Sequence, residues 1–127
     1  MRPISHIVIH HSASAHKTTL EEITAWHRAR GFTNVGYHYV IEGDGVVRRG
    51  RTIASIGAHT KGHNLTSVGI CVVGDNTKTA EVWTPRQIES LKTLVATLCE
   101  LFPNASVCGH RDLTATACPG LNVLDLL

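Results

Sequence analysis

Apolar positions follow two spacings along the 127-residue chain. Ile7-Val8-Ile9 is a short β-branched run and reads as a buried strand. Tyr37 to Ile41 reads as a second strand, turning through Gly43-Asp44-Gly45 into Val46-Val47-Arg48 as its hairpin partner. Thr66 to Val73 gives another strand, with Val68, Ile70, Cys71, Val72 and Val73, and Ser106-Val107-Cys108 a short one. Helical spacing occurs twice. Leu20, Ile23, Trp26 and Ala29 follow it behind Thr19, whose capping box closes at Glu22, and Gly31 ends the segment. The clearer helix has Thr84 as cap, Pro85 at its first position and Gln87 in the capping box. Ile88, Leu91, Val95 and Leu98 line one side of it, Leu94 and Leu101 widen the stripe, and Pro103-Asn104 stops it. Leu121 to Leu127 is expected to form a short last helix. The order β-α-β-β-β-α-β-α predicts an α/β fold: one domain over residues 1–127, a central mixed sheet flanked by helices.

Composition narrows the class. With 43% hydrophobic and 17% charged residues, the chain can bury a core at single-domain size, which excludes disordered and coiled-coil classes. Net charge is +2, with a mild excess of basic residues before position 64, so no nucleic-acid partner is expected. Arg48, Arg49 and Arg51 are the densest basic cluster and read as a solvated hairpin arm rather than an anion site. No signal-peptide pattern or membrane-spanning run is seen, so the protein is expected to be cytoplasmic when made, with no membrane partner. None of the four cysteines forms a CxxC pair, and Cys71 and Cys99 read as buried hydrophobes.

The unusual feature is nine histidines, eight of them before position 64. His10 and His11 follow the first strand, where adjacent side chains face opposite sides, so only one of them enters a given site. Gly109-His110-Arg111-Asp112 follows the last strand, and Cys118 stands eight residues beyond His110 in Cys118-Pro119-Gly120. Three protein ligands and an open position make a catalytic zinc pattern, and imidazole with thiolate suits zinc. From spacing alone, buried core histidines and an inert thiol remain the competing reading. HExxH, zinc-finger, deaminase, GxSxG and P-loop patterns are absent.

Six segments in order decide the weighting: Ile7-Val8-Ile9-His10-His11-Ser12-Ala13, Trp26-His27, Val35 to Ile41 with Gly43-Asp44-Gly45, Gly57-Ala58-His59 through Ser67-Val68-Gly69-Ile70, Gly109-His110-Arg111-Asp112, and Cys118-Pro119-Gly120. Together they resemble the zinc-dependent N-acetylmuramoyl-L-alanine amidases of the type 2 family, which share their fold with phage lysozyme-amidases and peptidoglycan recognition proteins. The resemblance implies Zn2+ held by His10, His110 and Cys118, with His11 pointing elsewhere. It implies Tyr37 as the site tyrosine on the strand facing the metal. Thr116 stands where some phage relatives carry lysine and others threonine, so it implies weak catalytic assistance. His59, Lys61 and Asn64 fall in the groove loop and are expected substrate contacts. Trp26 and His27 are expected to pack beneath the site, Arg111 and Asp112 to pair with each other or brace His110, and Ser12 to orient the first ligand's loop. His6, His16 and His63 read as exposed loop histidines. The implied function is hydrolysis of the bond between N-acetylmuramic acid and L-alanine in peptidoglycan, by a monomeric phage or prophage endolysin that reaches the wall through a membrane pore. The alternatives are a cytoplasmic muropeptide-recycling amidase, whose members usually carry aspartate in place of Cys118, a peptidoglycan-binding module without catalysis, and an amidase with an added regulatory protein partner.

Overall fold

The computed structural model describes residues 2–127. The elements are β1 (His6–His11), α1 (Leu20–Ala29), β2 (Tyr39–Ile41), β3 (Val47–Arg49), β4 (Ser67–Val72), α2 (Pro85–Leu101) and β5 (Ser106–Gly109). The expected terminal helix is a single 3-10 turn, Val123–Asp125. One five-stranded sheet has the order β3-β2-β4-β1-β5. β1 lies parallel to β4 and β5, β2 lies parallel to β4, and only the β2–β3 hairpin is antiparallel. β4 is buried along its whole length and β1 along all but its first residue, as expected for central parallel strands covered on both sides.

The pleat sorts these strands into two faces. Ile7, Ile9, Ile41, Val68, Ile70 and Val72 pack with Leu91, Val95 and Leu98 of α2 in one apolar cluster. Val40, Cys71 and Val73 pack on the other side with Ile23 of α1 and Val35. His10 is paired with Cys71 in the parallel register, which puts it on this second side. Full burial of one leucine, such as Leu91, contributes about 1.5–3 kcal/mol, so the α2 face carries most of the packing energy.

Both helices begin with complete capping boxes, Thr19 with Glu22 and Thr84 with Gln87. Gln87 does more than cap, because it is fully buried and its Nε2 donates to the carbonyls of Val73 (2.6 Å) and Ile41 (3.4 Å). It thereby satisfies backbone oxygens where β4 and β2 end. In α1 the buried residues are Ile23 and His27, and Trp26 is 46% exposed. The expectation that Trp26 packs beneath the site is therefore corrected: the buried seam runs i to i+4, Ile23 to His27, and leaves position 26 on the outer side. Leu101, expected to widen the α2 stripe, is likewise exposed.

The basic cluster is also more structural than expected. Arg48 bridges Glu21 and Glu42 at 3.0 and 3.1 Å, and Arg51 donates to the carbonyls of Val35 and Ile56. His16 is not a free loop histidine, since its backbone N–H donates to Glu81 and its ring Nε2 meets the Val82 carbonyl. No helix among the described residues is long and apolar enough to cross a membrane.

Candidate metal centre

Donor groups meet where β1 and β5 end, at the carboxyl edge of the parallel sheet, where ligands of open α/β sheets bind. His10 is the fifth residue of β1 and 1% exposed. His110 opens a 3-10 turn, His110–Asp112, directly after β5. Cys118 comes back to the same point because the Arg111 N–H donates to its carbonyl at 2.7 Å. The His11 N–H donates to its sulfur at 3.4 Å. Ligand atoms of His10, His110 and Cys118 lie within 4.8 Å of one another. Nδ1 of His10 is the ring nitrogen turned to Cys118 Sγ, at 3.8 Å. His11 points to the other side, where its Nδ1 accepts the Asn76 N–H.

Two imidazole nitrogens and a sulfur form a borderline-soft donor set that fits zinc and suits magnesium or calcium poorly. All three residues line a cleft of about 790 Å³ that has Arg30 and Lys61 on its walls and no carboxylate side chain. Burial, then the neighbouring His59, His110 and His11, hold the His10 imidazole well below its ordinary value. Burial also lowers His110. Both are therefore neutral, the form that ligates a metal. Burial pushes the Cys118 thiol up to about 11, against the opposing pull of the His11 N–H. A cation is what converts such a thiol to thiolate at neutral pH.

Tyr37 sits with its ring 5.1 Å from that of His10. It lies just before β2 rather than within it, in the segment where the His38 N–H bonds to the Gly69 carbonyl. Burial, followed by the nearby thiols Cys71 and Cys118, raises its phenol well above the ordinary value, so it is a proton-bearing donor at neutral pH. Thr116 lines the cleft, and its Oγ1 accepts the Cys118 N–H at 3.3 Å. Lys61 is exposed on the cleft wall. Asn64 also lines the cleft, with its Oδ1 accepting the backbone N–H groups of His59 and Thr60, both at 2.9 Å. His59 lines it too, but both ring nitrogens have protein partners: Nδ1 meets His10 and Thr60, and Nε2 meets Ser67. Its imidazole is lowered to about 3, chiefly by burial and then by the neighbouring His38, His110, Arg2 and Arg51.

Around these, Asp112 accepts the Gly109 N–H at 2.8 Å rather than pairing with Arg111 or bracing the His110 ring. Ser12 ties the loop after β1 to Gly74, as its expected orienting role requires. His27, buried in α1, accepts the Gly36 N–H at 2.8 Å and fixes the entry to Tyr37. Sequence reasoning passed over Thr60, Ser67 and Arg2. Arg2 donates to the carbonyls of Ile53, Asn64, Leu65 and Ser67 and so clasps the groove loop. A signal for this lay in Gly57 and Gly69 flanking a loop histidine, but nothing in spacing pointed to Arg2.

Fold and site together define an α/β protein with a two-histidine, one-cysteine centre at its sheet edge. The chain belongs to the N-acetylmuramoyl-L-alanine amidase family, which matches residues 1–121. It is 36% identical over 122 residues to an endolysin of Enterobacteria phage T3, covering 92% of this chain and 81% of that protein. Among solved structures it superposes on the endolysine N-acetylmuramoyl-L-alanine amidase LysCS of Clostridium intestinale URNW with a TM-score of 0.91. The identity there is 31%, covering 98% of this chain and 82% of the other. A Drosophila PGRP-LB mutant in complex with tracheal cytotoxin matches with a TM-score of 0.83 and 28% identity, over 94% of this chain and 76% of that one.

Proposed function

We propose that this protein is a zinc-dependent amidase that cleaves the bond between the lactyl group of N-acetylmuramic acid and the first L-alanine of the peptidoglycan stem. We further propose that it serves as a phage or prophage endolysin, acting on the wall after passage through a membrane pore. The observation that carries the reading is the convergence of His10, His110 and Cys118 at the head of a cleft. These residues would hold the zinc, which when bound supplies Lewis acidity toward an amide carbonyl and lowers the pKa of water.

The chain's own groups do the rest. Tyr37 keeps its proton and donates a hydrogen bond toward the oxyanion that develops as the amide is attacked. Thr116, whose Oγ1 accepts the Cys118 N–H, offers the proton of that hydroxyl without positive charge on the same wall. Lys61, exposed on the cleft wall, would meet a stem-peptide carboxylate, and Asn64, which holds the groove loop through the His59 N–H, would help shape the groove around the peptide. Phage endolysin relatives support the endolysin role, and Cys118, rather than aspartate, favours it over muropeptide recycling.

Turbidity of purified sacculi tests the reading. The protein is expected to clear them, to lose that activity with a chelator, and to regain it with zinc. Cys118→Ser is expected to leave no more activity than the chelated parent. Clearing that survives both chelation and Cys118→Ser would overturn the zinc mechanism. Activity confined to soluble anhydro-muropeptide would point to recycling, and binding without release of peptide would point to a recognition module.

A further inference from the structure

His59 stands directly behind the proposed ligand His10. Nδ1 of His10 faces Cys118, so the proton of a neutral, metal-ready His10 sits on Nε2. That Nε2 is 2.9 Å from His59 Nδ1 and 3.3 Å from Thr60 Oγ1. Because His59 Nδ1 accepts, its own proton sits on Nε2, which is 3.3 Å from Ser67 Oγ. The two rings meet edge to face, with centroids 5.0 Å apart.

The position of His59 is built into the fold. A Cβ on Gly69 would lie 2.5 Å from the imidazole, and one on Gly57 would lie 2.7 Å from it, so only glycines leave room for the ring. Its backbone N–H is fixed by Asn64 Oδ1, and Arg2 clasps the carbonyls of Asn64 and Ser67 that carry this loop. With both ring nitrogens turned to protein, His59 is arranged to hold another side chain rather than a substrate.

We propose that His59 is a positioning residue for His10: its Nδ1 accepts the His10 Nε2–H and holds Nδ1 of His10 toward Cys118 and His110. Metal-bound histidines ordinarily donate this second N–H to a carboxylate, a carbonyl or water. Here the acceptor is a second, uncharged imidazole, so His10 is oriented without adding negative charge to the centre. Thr60 is the weaker second acceptor. The inference rests on the zinc reading above and concerns this chain's own residues.

Zinc affinity, measured by competition with a chromophoric chelator, tests it alongside long-range proton–nitrogen NMR of the imidazoles in the metal-free protein. The parent is expected to show His10 as the Nε2–H tautomer. His59→Ala is expected to weaken zinc binding about 10–100-fold, the usual cost of losing such a partner. His59→Asn, whose Oδ1 stands where Nδ1 stood, is expected to stay within about threefold of the parent. Metal-free melting curves establish that the variants fold. Zinc affinity of His59→Ala equal to that of a zinc-binding parent, with only KM for muropeptide raised, would overturn the inference alone and return His59 to substrate contact. A parent showing His10 as the Nδ1–H tautomer overturns it even if His59→Ala does not fold. A parent that takes up no zinc overturns it together with the reading beneath it.

Discussion

The two faces of the sheet are made from the same strands and hold together by different means. On the α2 side the inward strand residues are mostly aliphatic, from Ile7 and Ile9 to Val72, with Tyr39 packed against them and His11 at the end of β1, and most of the contacts are non-directional. On the other side alternate positions of the same strands carry His10, Ser67, Gly69 and Cys71, joined by His38 and His59. Here hydrogen bonds fix the arrangement. His38 accepts the Gly69 N–H at 3.0 Å and meets the Ser55 carbonyl at 2.8 Å. The lesson is that a strand of period two lets one face supply cohesion while the other is free to carry polar chemistry. The cohesive face tolerates similar shapes, and the polar one depends on single atoms.

Crossing a substitution on each face gives the largest effects. Tyr37→Phe removes one phenolic donor and little volume, so hydrolysis is expected to fall about 10²–10³-fold. Zinc content and melting temperature are expected to stay near the parent's. Leu91→Ala empties a fully buried site against Ile7 and Ile9 and is expected to lower stability by about 2–5 kcal/mol, at roughly 3 °C per kcal/mol. Its turnover per folded molecule is expected to be unchanged. Turnover assays and thermal melts of both proteins check this. A Leu91→Ala protein that melts like the parent, or a Tyr37→Phe protein that melts far below it, would erase the distinction between the faces.

Acid separates the faces next. His10, His38 and His59 are buried and neutral, with burial as the first cause of each lowered value. The unfolded chain takes up protons near the ordinary histidine value, about 6.5, whereas folded His59 resists until about 3. Across that window the unfolded state binds more protons, so stability is complete above it and falls as pH falls. Chelator-treated protein is expected to melt several degrees lower at about pH 5 than at about pH 7. The buried apolar cluster under α2 contains no histidine, and on that side of the sheet His11, lowered by burial against the opposing pull of Asp75, adds to the slope. A flat melting profile over the interval would mean that the polar face does not hold neutral histidines.

How much of this was legible in the chain follows the same division. Strand runs, the α2 stripe and both capping boxes are local patterns, and they predicted the sheet and its helices within a residue or two. Hairpin pairing was legible through Gly45, whose positive φ of 87° suits the turn it closes. Spacing raised the metal-ligand candidates only against a competing structural reading, and family motifs in order gave them their weight, because His10 and Cys118 are 108 positions apart and meet only when β5 pairs with β1. The polar links behind them were illegible for the same reason. Arg2 meets the loop at Asn64 across 62 positions, and His59 meets His10 across 49. Hydrophobic periodicity carries no information about such pairs.

The smallest expected effect tests a place where periodicity misled. Apolar spacing put Trp26 on the inner side of α1 beside Ile23, yet His27 takes the buried position and Trp26 lies outside, 46% exposed. The physical reason is that His27 has a partner there: its Nδ1 accepts the Gly36 N–H, a backbone donor that burial would otherwise leave unsatisfied. Tryptophan has only an N–H donor and cannot replace that acceptor. Trp26→Ala is therefore expected to change stability by no more than about 0.5 kcal/mol, the range of ordinary surface substitutions, and to leave hydrolysis unchanged. His27→Ala is expected to cost about 1–3 kcal/mol through the orphaned Gly36 N–H. Urea unfolding of the two variants orders them, and a Trp26→Ala protein less stable than His27→Ala would put the tryptophan back beneath the site.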